Sequence, residues 1–245
     1  MDKTYEEKAV CELIAWQRMM LKKPSLTNRL TKRLQSKVSS IIPDKVHKML
    51  TETVKNMIKA VLFGSEFITR KPLINVSLEE RETLVKERLD FYKKAGMVSG
   101  AGTGAGGILV GLADFPILIS LKLKFLFDTA SLYGFDVRNY QERLYILHIF
   151  QLAFSSQQRA NQVYHSMLDW NSRLKELPLS LNDFDWHTFQ QEYRDYIDLV
   201  KMLQLVPGIG AAVGAYANYQ LMERLGKIAV NAYRLRLFAS AKNFL

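Results

Sequence analysis

The chain has 245 residues, 48% of them hydrophobic and 24% charged, with a formal net charge of +10. That length suits one large domain or two small ones, and a mean hydropathy of −0.08 excludes a polytopic membrane protein. A single cysteine, Cys11, excludes an internal disulfide framework and fits a reducing compartment, with Cys11 itself read as a small hydrophobe on a helix.

The chain opens on MDKTYEEK, with no basic stretch followed by an apolar one. No secretory leader is expected from this, and the expected location is the cytoplasm or its membrane face. Tyr5 to Leu21 reads as a helix, with acids in its first turn and Lys22-Lys23 beyond its last, followed by Pro24. Ser25 can cap the next helix, whose Leu26, Leu30, Leu34 and Val38 recur every fourth residue. Arg29, Lys32, Arg33 and Lys37 flank that stripe and make the helix basic and amphipathic. Pro43-Asp44 starts another helix, to about Phe67.

The charge is concentrated here. From Lys22 to Lys59 ten basic residues face only Asp44 and Glu52, a net +8. A localised positive field attracts polyanions, either nucleic acid or an anionic leaflet. No nucleic-acid recognition motif accompanies it, so an anionic membrane surface is the expected partner and nucleic acid is not. The four residues expected to bind that surface are Arg29, Lys32, Arg33 and Lys37.

Ser77 and Glu80 form a capping box for a helix through Lys94. Lys71 to Leu78 is the best place for a hinge between a basic N-terminal unit, about residues 1–70, and a helical core, about residues 77–240, within one domain of residues 1–245. The stretch VSGAGTGAGGILVGLADFP, Val98 to Pro116, holds six of the thirteen glycines. Helix resumes near Pro116 and stops at Gly134, a C-terminal glycine signal. Arg138–Phe154, Ser155–Leu174 and Asp185–Leu205 read as amphipathic helices. A second glycine segment, GIGAAVGAYANY, follows Pro207 and continues as helix to the end. The glycine-rich helices at about 95–133 and 205–238 echo one another faintly. No alternating β-rich segment is found.

Gly102-Thr-Gly104-Ala-Gly-Gly107 has the letters of a dinucleotide fingerprint, but the charged helical RETLVKERLDFYKK precedes it where a strand is required. Gly226-Lys227 lacks the rest of a phosphate-binding loop. The glycines read instead as a packing device. Ala95–Ala113 and Met202–Met222 are uncharged, and Gly96, Gly100, Gly104, Gly107 and Gly111 step by three or four residues, as Gly210 and Gly214 do. Such small faces let helices meet backbone to backbone, in lipid or in a protein core. The expectation is an all-α multi-helix bundle whose two glycine-rich apolar helices cross closely, with Gly100, Gly104, Gly111, Gly210 and Gly214 at the crossing or inserted in lipid.

No catalytic constellation stands out. Asp114, in the most apolar part of the chain, is a weak candidate for a carboxylate of raised pKa and reads better as the cap of the helix at Pro116. Asp183, Asp185 and His187 read as capping residues, and His47, His148 and His165 lack metal-ligand spacing, although His165 and Asp169 could share a helical face. No metal and no cofactor are expected. Trp16, Trp170 and Trp186 read as core.

Lys94-Ala-Gly96, the glycine run, GLADFPILISLKLKF, Asp128-Thr-Ala-Ser-Leu-Tyr-Gly134 and LVPGIGAAVGAYANYQLMERLGKIAVNAYRLR together resemble the EcsC protein family over nearly the whole chain. The resemblance implies an all-helical fold and no established catalytic residue. It also implies an accessory role near an ABC exporter, with ABC transporter subunits as partners, peripherally on the inner face of the cell membrane. Two alternatives stay open: a hydrolase acting on lipid or peptide at the membrane, and a helical carrier of a hydrophobic ligand.

Overall fold

The computed structural model describes residues 4–22, 44–63, 70–103, 115–174 and 210–238. The described residues form helices and no strand: α1 (Tyr5–Leu21), α2 (Asp44–Phe63), α3 (Leu78–Thr103), α4 (Phe115–Leu132), α5 (Tyr140–Phe154), α6 (Gln157–Leu168), the single turn α7 (Trp170–Arg173) and α8 (Gly210–Leu237). The fold is all-α, as the sequence implies.

Local signals set most of the ends. Thr4 and Glu7 close a reciprocal capping box on α1, the Thr4 Oγ1 accepting from the Glu7 amide and the Glu7 carboxylate from the Thr4 amide. Ser77 and Glu80 do the same for α3, at 3.3 Å in each direction. Asn139 caps α5 by accepting from the Gln141 amide at 3.0 Å, which moves the start of that helix past Arg138. Gly134 turns the chain after α4 with φ +90°, and a Cβ there would lie 3.0 Å from both the Leu73 carbonyl oxygen and Arg81 Nη1, so glycine is required twice over.

The sequence expectation of one helix over 155–174 is corrected. The backbone leaves helical geometry at Asp169, with φ −112° and ψ 33°. The break lets the Trp170 ring turn inward against Tyr145 and His148, centroids 5.0 and 5.1 Å away. Trp16 and Trp170 both lie in the core, and Trp16 meets Tyr164 edge to face.

α5 is central. Tyr145, Ile146, Leu147, Ile149, Phe150, Leu152, Ala153 and Phe154 are all buried, so the helix is covered on every side. Around it, Leu13 and Trp16 of α1, Ile58 and Val61 of α2, Val85 and Tyr92 of α3, Phe125 and Leu126 of α4, Val163 of α6 and Leu225 and Ala229 of α8 join one apolar core. The segment 70–77 is bonded onto α4. The Leu73 amide donates to the Ser131 carbonyl at 2.8 Å, and Arg81 donates to the carbonyls of Leu73, Val76 and Leu132.

The most extensive helix pairing is α3 with α8. It is antiparallel, because Glu82 meets Arg234, Leu89 meets Gly226 and Lys93 meets Glu223. The helices approach closely at Gly226, where a Cβ would fall 2.5 Å from Leu89 Cδ2. Gly96, by contrast, has nothing within 4 Å of a Cβ. Gly100 lies near the end of α3, and Gly210 and Gly214 lie in the first turns of α8; Gly104 and Gly111 fall outside the described residues. Among the described residues no helix is long and apolar enough to cross a membrane.

Candidate functional site

The sequence brings two arginines, Arg234 and Arg236, to the last turn of α8, where cations suit the helix C-terminus. Each meets a glutamate from a distant helix. Arg234 donates from Nε and Nη2 to the two oxygens of Glu82, at 2.7 and 2.6 Å, and from Nη1 to Glu12 of α1 at 2.6 Å. Glu82 also accepts from Tyr133 at 2.9 Å and from Tyr5 at 2.6 Å. One carboxylate thus joins α1, α3, α8 and the end of α4. Burial alone would lower the Arg234 pKa, but its bonds to Glu82 and Glu12 outweigh this and hold the guanidinium charged. Burial, and then the bond to Glu82, push the Tyr5 hydroxyl up to about 12.

The second clasp joins α5 to α8. Arg236 donates to Glu142, which also accepts from Tyr233 at 2.9 Å. The guanidinium lies 3.8 Å from the Phe135 ring centroid and 4.6 Å from that of Tyr145, a cation–π arrangement on two rings. Tyr145 in turn donates to the Ala232 carbonyl at 2.7 Å. Burial raises the Glu142 pKa despite the opposing pull of Arg236.

Beside Arg236 is a pocket of about 240 Å³, walled by Met167, Leu168, Trp170 and Leu235, with Asp169 and Ser172 at its polar side. Arg236 Nε and Trp170 Nε1 are buried without a hydrogen-bond partner. The pocket is smaller than the usual range for small-molecule sites, about 300–1,000 Å³.

These clasps tie distant helices together. A general base needs a lone pair open to substrate, and Glu82 spends its two oxygens on four donors. His148 is half-buried, its Nδ1 lies 2.8 Å from the Leu144 carbonyl, and the desolvation of its ring lowers its pKa to about 4. His165 is exposed on α6, while Asp169 falls beyond that helix, with its carbonyl accepting from the amides of Ser172 and Arg173. Among the described residues no group of three or more His, Cys, Asp or Glu could hold a metal ion.

The remaining residues singled out in the sequence lie elsewhere. Arg29, Lys32, Arg33, Lys37, Asp114, Asp183, Asp185, Trp186 and His187 are outside the described residues. Gly100, Gly210 and Gly214 sit at the end of the α3–α8 pair opposite to the two clasps, since α3 ends there and α8 begins there. The sequence reading missed Glu82, Glu142, Arg234, Arg236 and Lys122. Only Lys122 left a local trace, as one of two lysines inside the apolar run ILISLKLKFLF.

The EcsC protein family matches residues 7–238. This chain belongs to the EcsC protein family. It is 45% identical to "Protein EcsC" of Bacillus subtilis (strain 168) over 227 residues, covering 92% of this chain and 93% of that protein. It is also similar to "Uncharacterized protein YdbA" of the same organism, 26% identical over 189 residues, covering 77% of this chain and 68% of that one. No solved structure matches. The EcsC match spans both clasps, Tyr5 excepted, and both glycine-rich segments.

Proposed function

We propose that this EcsC-family protein is a non-catalytic accessory protein of an ABC exporter system, held peripherally on the inner face of the cell membrane. The observation that carries the reading is the net +8 between Lys22 and Lys59, in a chain whose total is +10. Basic residues near an anionic leaflet contribute about 1 kcal/mol each, and apolar contact adds to them. The glycine segments supply that contact. Both are uncharged, and both adjoin the end of the α3–α8 pair away from the clasps. The four donors on Glu82 and the Arg236 and Tyr233 donors on Glu142 favour a structural role for the polar end.

Fractionation of native cells tests this. Recovery in the membrane pellet and release by high salt support attachment through Arg29, Lys32, Arg33 and Lys37. Release only by detergent supports entry of the glycine segments into lipid, and Gly104→Leu or Gly210→Leu is then expected to abolish it. A wholly soluble protein overturns the proposal. Co-purification with ABC transporter subunits after mild crosslinking tests the partner, and its absence removes that part.

A further inference from the structure

The α3–α8 register continues past Lys93 into a layer with a different character. On α3, Tyr92 faces α4, donating to Asp128 at 3.1 Å and meeting the Phe125 ring at 6.0 Å. One helical turn further, Gly96 follows Tyr92 on the same face, and Lys122 lies one turn before Phe125 on α4. On α8, the step before Glu223 reaches Asn218 and Tyr219. Antiparallel packing therefore puts Gly96, Lys122 and Asn218 at one level.

Three observations coincide there. Lys122 is 2% exposed, and its ammonium, which has three donors, reaches among the described residues only the Leu118 carbonyl of its own helix, at 3.4 Å. Burial accounts for its lowered pKa, about 8, and no carboxylate of the described residues counters it. Asn218 is also 2% exposed, and its Oδ1 has no partner. Gly96 is buried, yet a Cβ built on it meets nothing within 4 Å. Room beside Gly96 and two incompletely bonded polar groups therefore lie at one level of the three helices. Around this layer Met97, Ile117, Tyr216 and Tyr219 are exposed, an apolar collar at the same end of the three helices.

We infer that Lys122 is the head-group anchor of a binding site for an amphiphile with one anionic oxygen head and an apolar chain, with the head entering beside Gly96 and the chain resting on the collar of Met97, Ile117, Tyr216 and Tyr219. A buried ammonium without a counter-ion is costly, and a bound carboxylate or phosphate supplies the charge it lacks. The carboxylate of a fatty acid and the phosphate of a lipid monoester share this chemistry. The site is independent of the basic segment proposed to hold the protein at the membrane.

The test is fluorescence titration of the purified full chain with cis-parinaric acid, a long-chain carboxylate, in vesicle-free buffer. Saturable binding is expected. Lys122→Met should weaken it at least tenfold while the circular dichroism stays helical, and Gly96→Leu should weaken it by filling the space. Dodecanoate and dodecyl phosphate should displace the probe, the stronger of them identifying the preferred head, and dodecanol should not. No saturable binding, equal affinity in K122M, or displacement by dodecanol as good as by dodecanoate overturns the site. Vesicle attachment of K122M is expected to match that of the unaltered protein, so failure of the site and failure of the membrane proposal are read separately.

Discussion

Arg234 and Glu82, 152 residues apart, form a two-pronged ion pair of 2.7 and 2.6 Å at which three further groups, Glu12, Tyr5 and Tyr133, converge. The pair is 7% and 6% exposed at its side chains, so water screens it little. Removing one partner takes away the two-pronged bond, leaving Arg234 with Glu12 or Glu82 with Tyr5 and Tyr133. Glu82→Gln or Arg234→Met alone is expected to cost about 3–5 kcal/mol in urea unfolding. The double variant should cost less than the sum of the two. Additive losses would show that the two residues act separately.

Gly226 and Gly96 should respond differently to a side chain. A methyl on Gly226 meets the flexible end of Leu89, so Gly226→Ala offsets a helix-propensity gain of about 1 kcal/mol against a shift of that side chain, and lies near neutral. Gly226→Leu has no such escape and is expected to destabilise by about 1–3 kcal/mol. Gly96→Ala has room and should stabilise by about 0.5–1 kcal/mol. Urea midpoints check the order, and a large loss for Gly96→Ala would contradict the packing.

The sequence announces what short range decides. Ser77 and Glu80 are three residues apart, Gly134 ends a visible apolar run, and α1 has the limits its acids and Pro24 suggest. The all-α class follows from such signals repeated along the chain. The clasps were illegible because their partners are separated by 152 and 94 residues, and nothing local marks Glu82 or Glu142 among other helical glutamates. The packing role of Gly226 is illegible for a similar reason. It stands alone in LMERLGKIAV, away from both glycine runs, and only Leu89 of a distant helix reveals its use. The break at Asp169 depends on where Trp170 finds space, which is a property of the assembled core.

His148 makes stability depend on acid. Burial, with Arg173 adding to it and the Leu144 carbonyl opposing, lowers its pKa from 6.5 to about 4. Between those values the unfolded chain binds a proton that the folded one refuses, so stability falls as pH drops through that window. The contribution is of order 3 kcal/mol across it. Urea unfolding at a series of pH values should show His148→Gln with a shallower loss than the unaltered protein from pH 6.5 to 4. Parallel curves would contradict the burial of a neutral imidazole.

Lys122 acts in the alkaline range. Its pKa falls from 10.5 to about 8, so at neutral pH the folded state bears the cost of a buried charge, and that cost fades as pH rises from 8 to 10.5. Lys122→Met should therefore stabilise the free protein at pH 7, by of order 3 kcal/mol, with the advantage shrinking toward pH 10. A destabilised K122M at pH 7 would show that the ammonium is well served where it lies.

The most direct test of membrane attachment is flotation of the purified protein with vesicles of phosphatidylglycerol and phosphatidylcholine, across a salt series. The protein is expected to float with anionic vesicles at low salt, to stay behind with purely zwitterionic ones, and to lose attachment when Arg29, Lys32, Arg33 and Lys37 are all changed to Gln. Failure to float at low salt on anionic vesicles, or equal flotation of the four-residue variant, would contradict it.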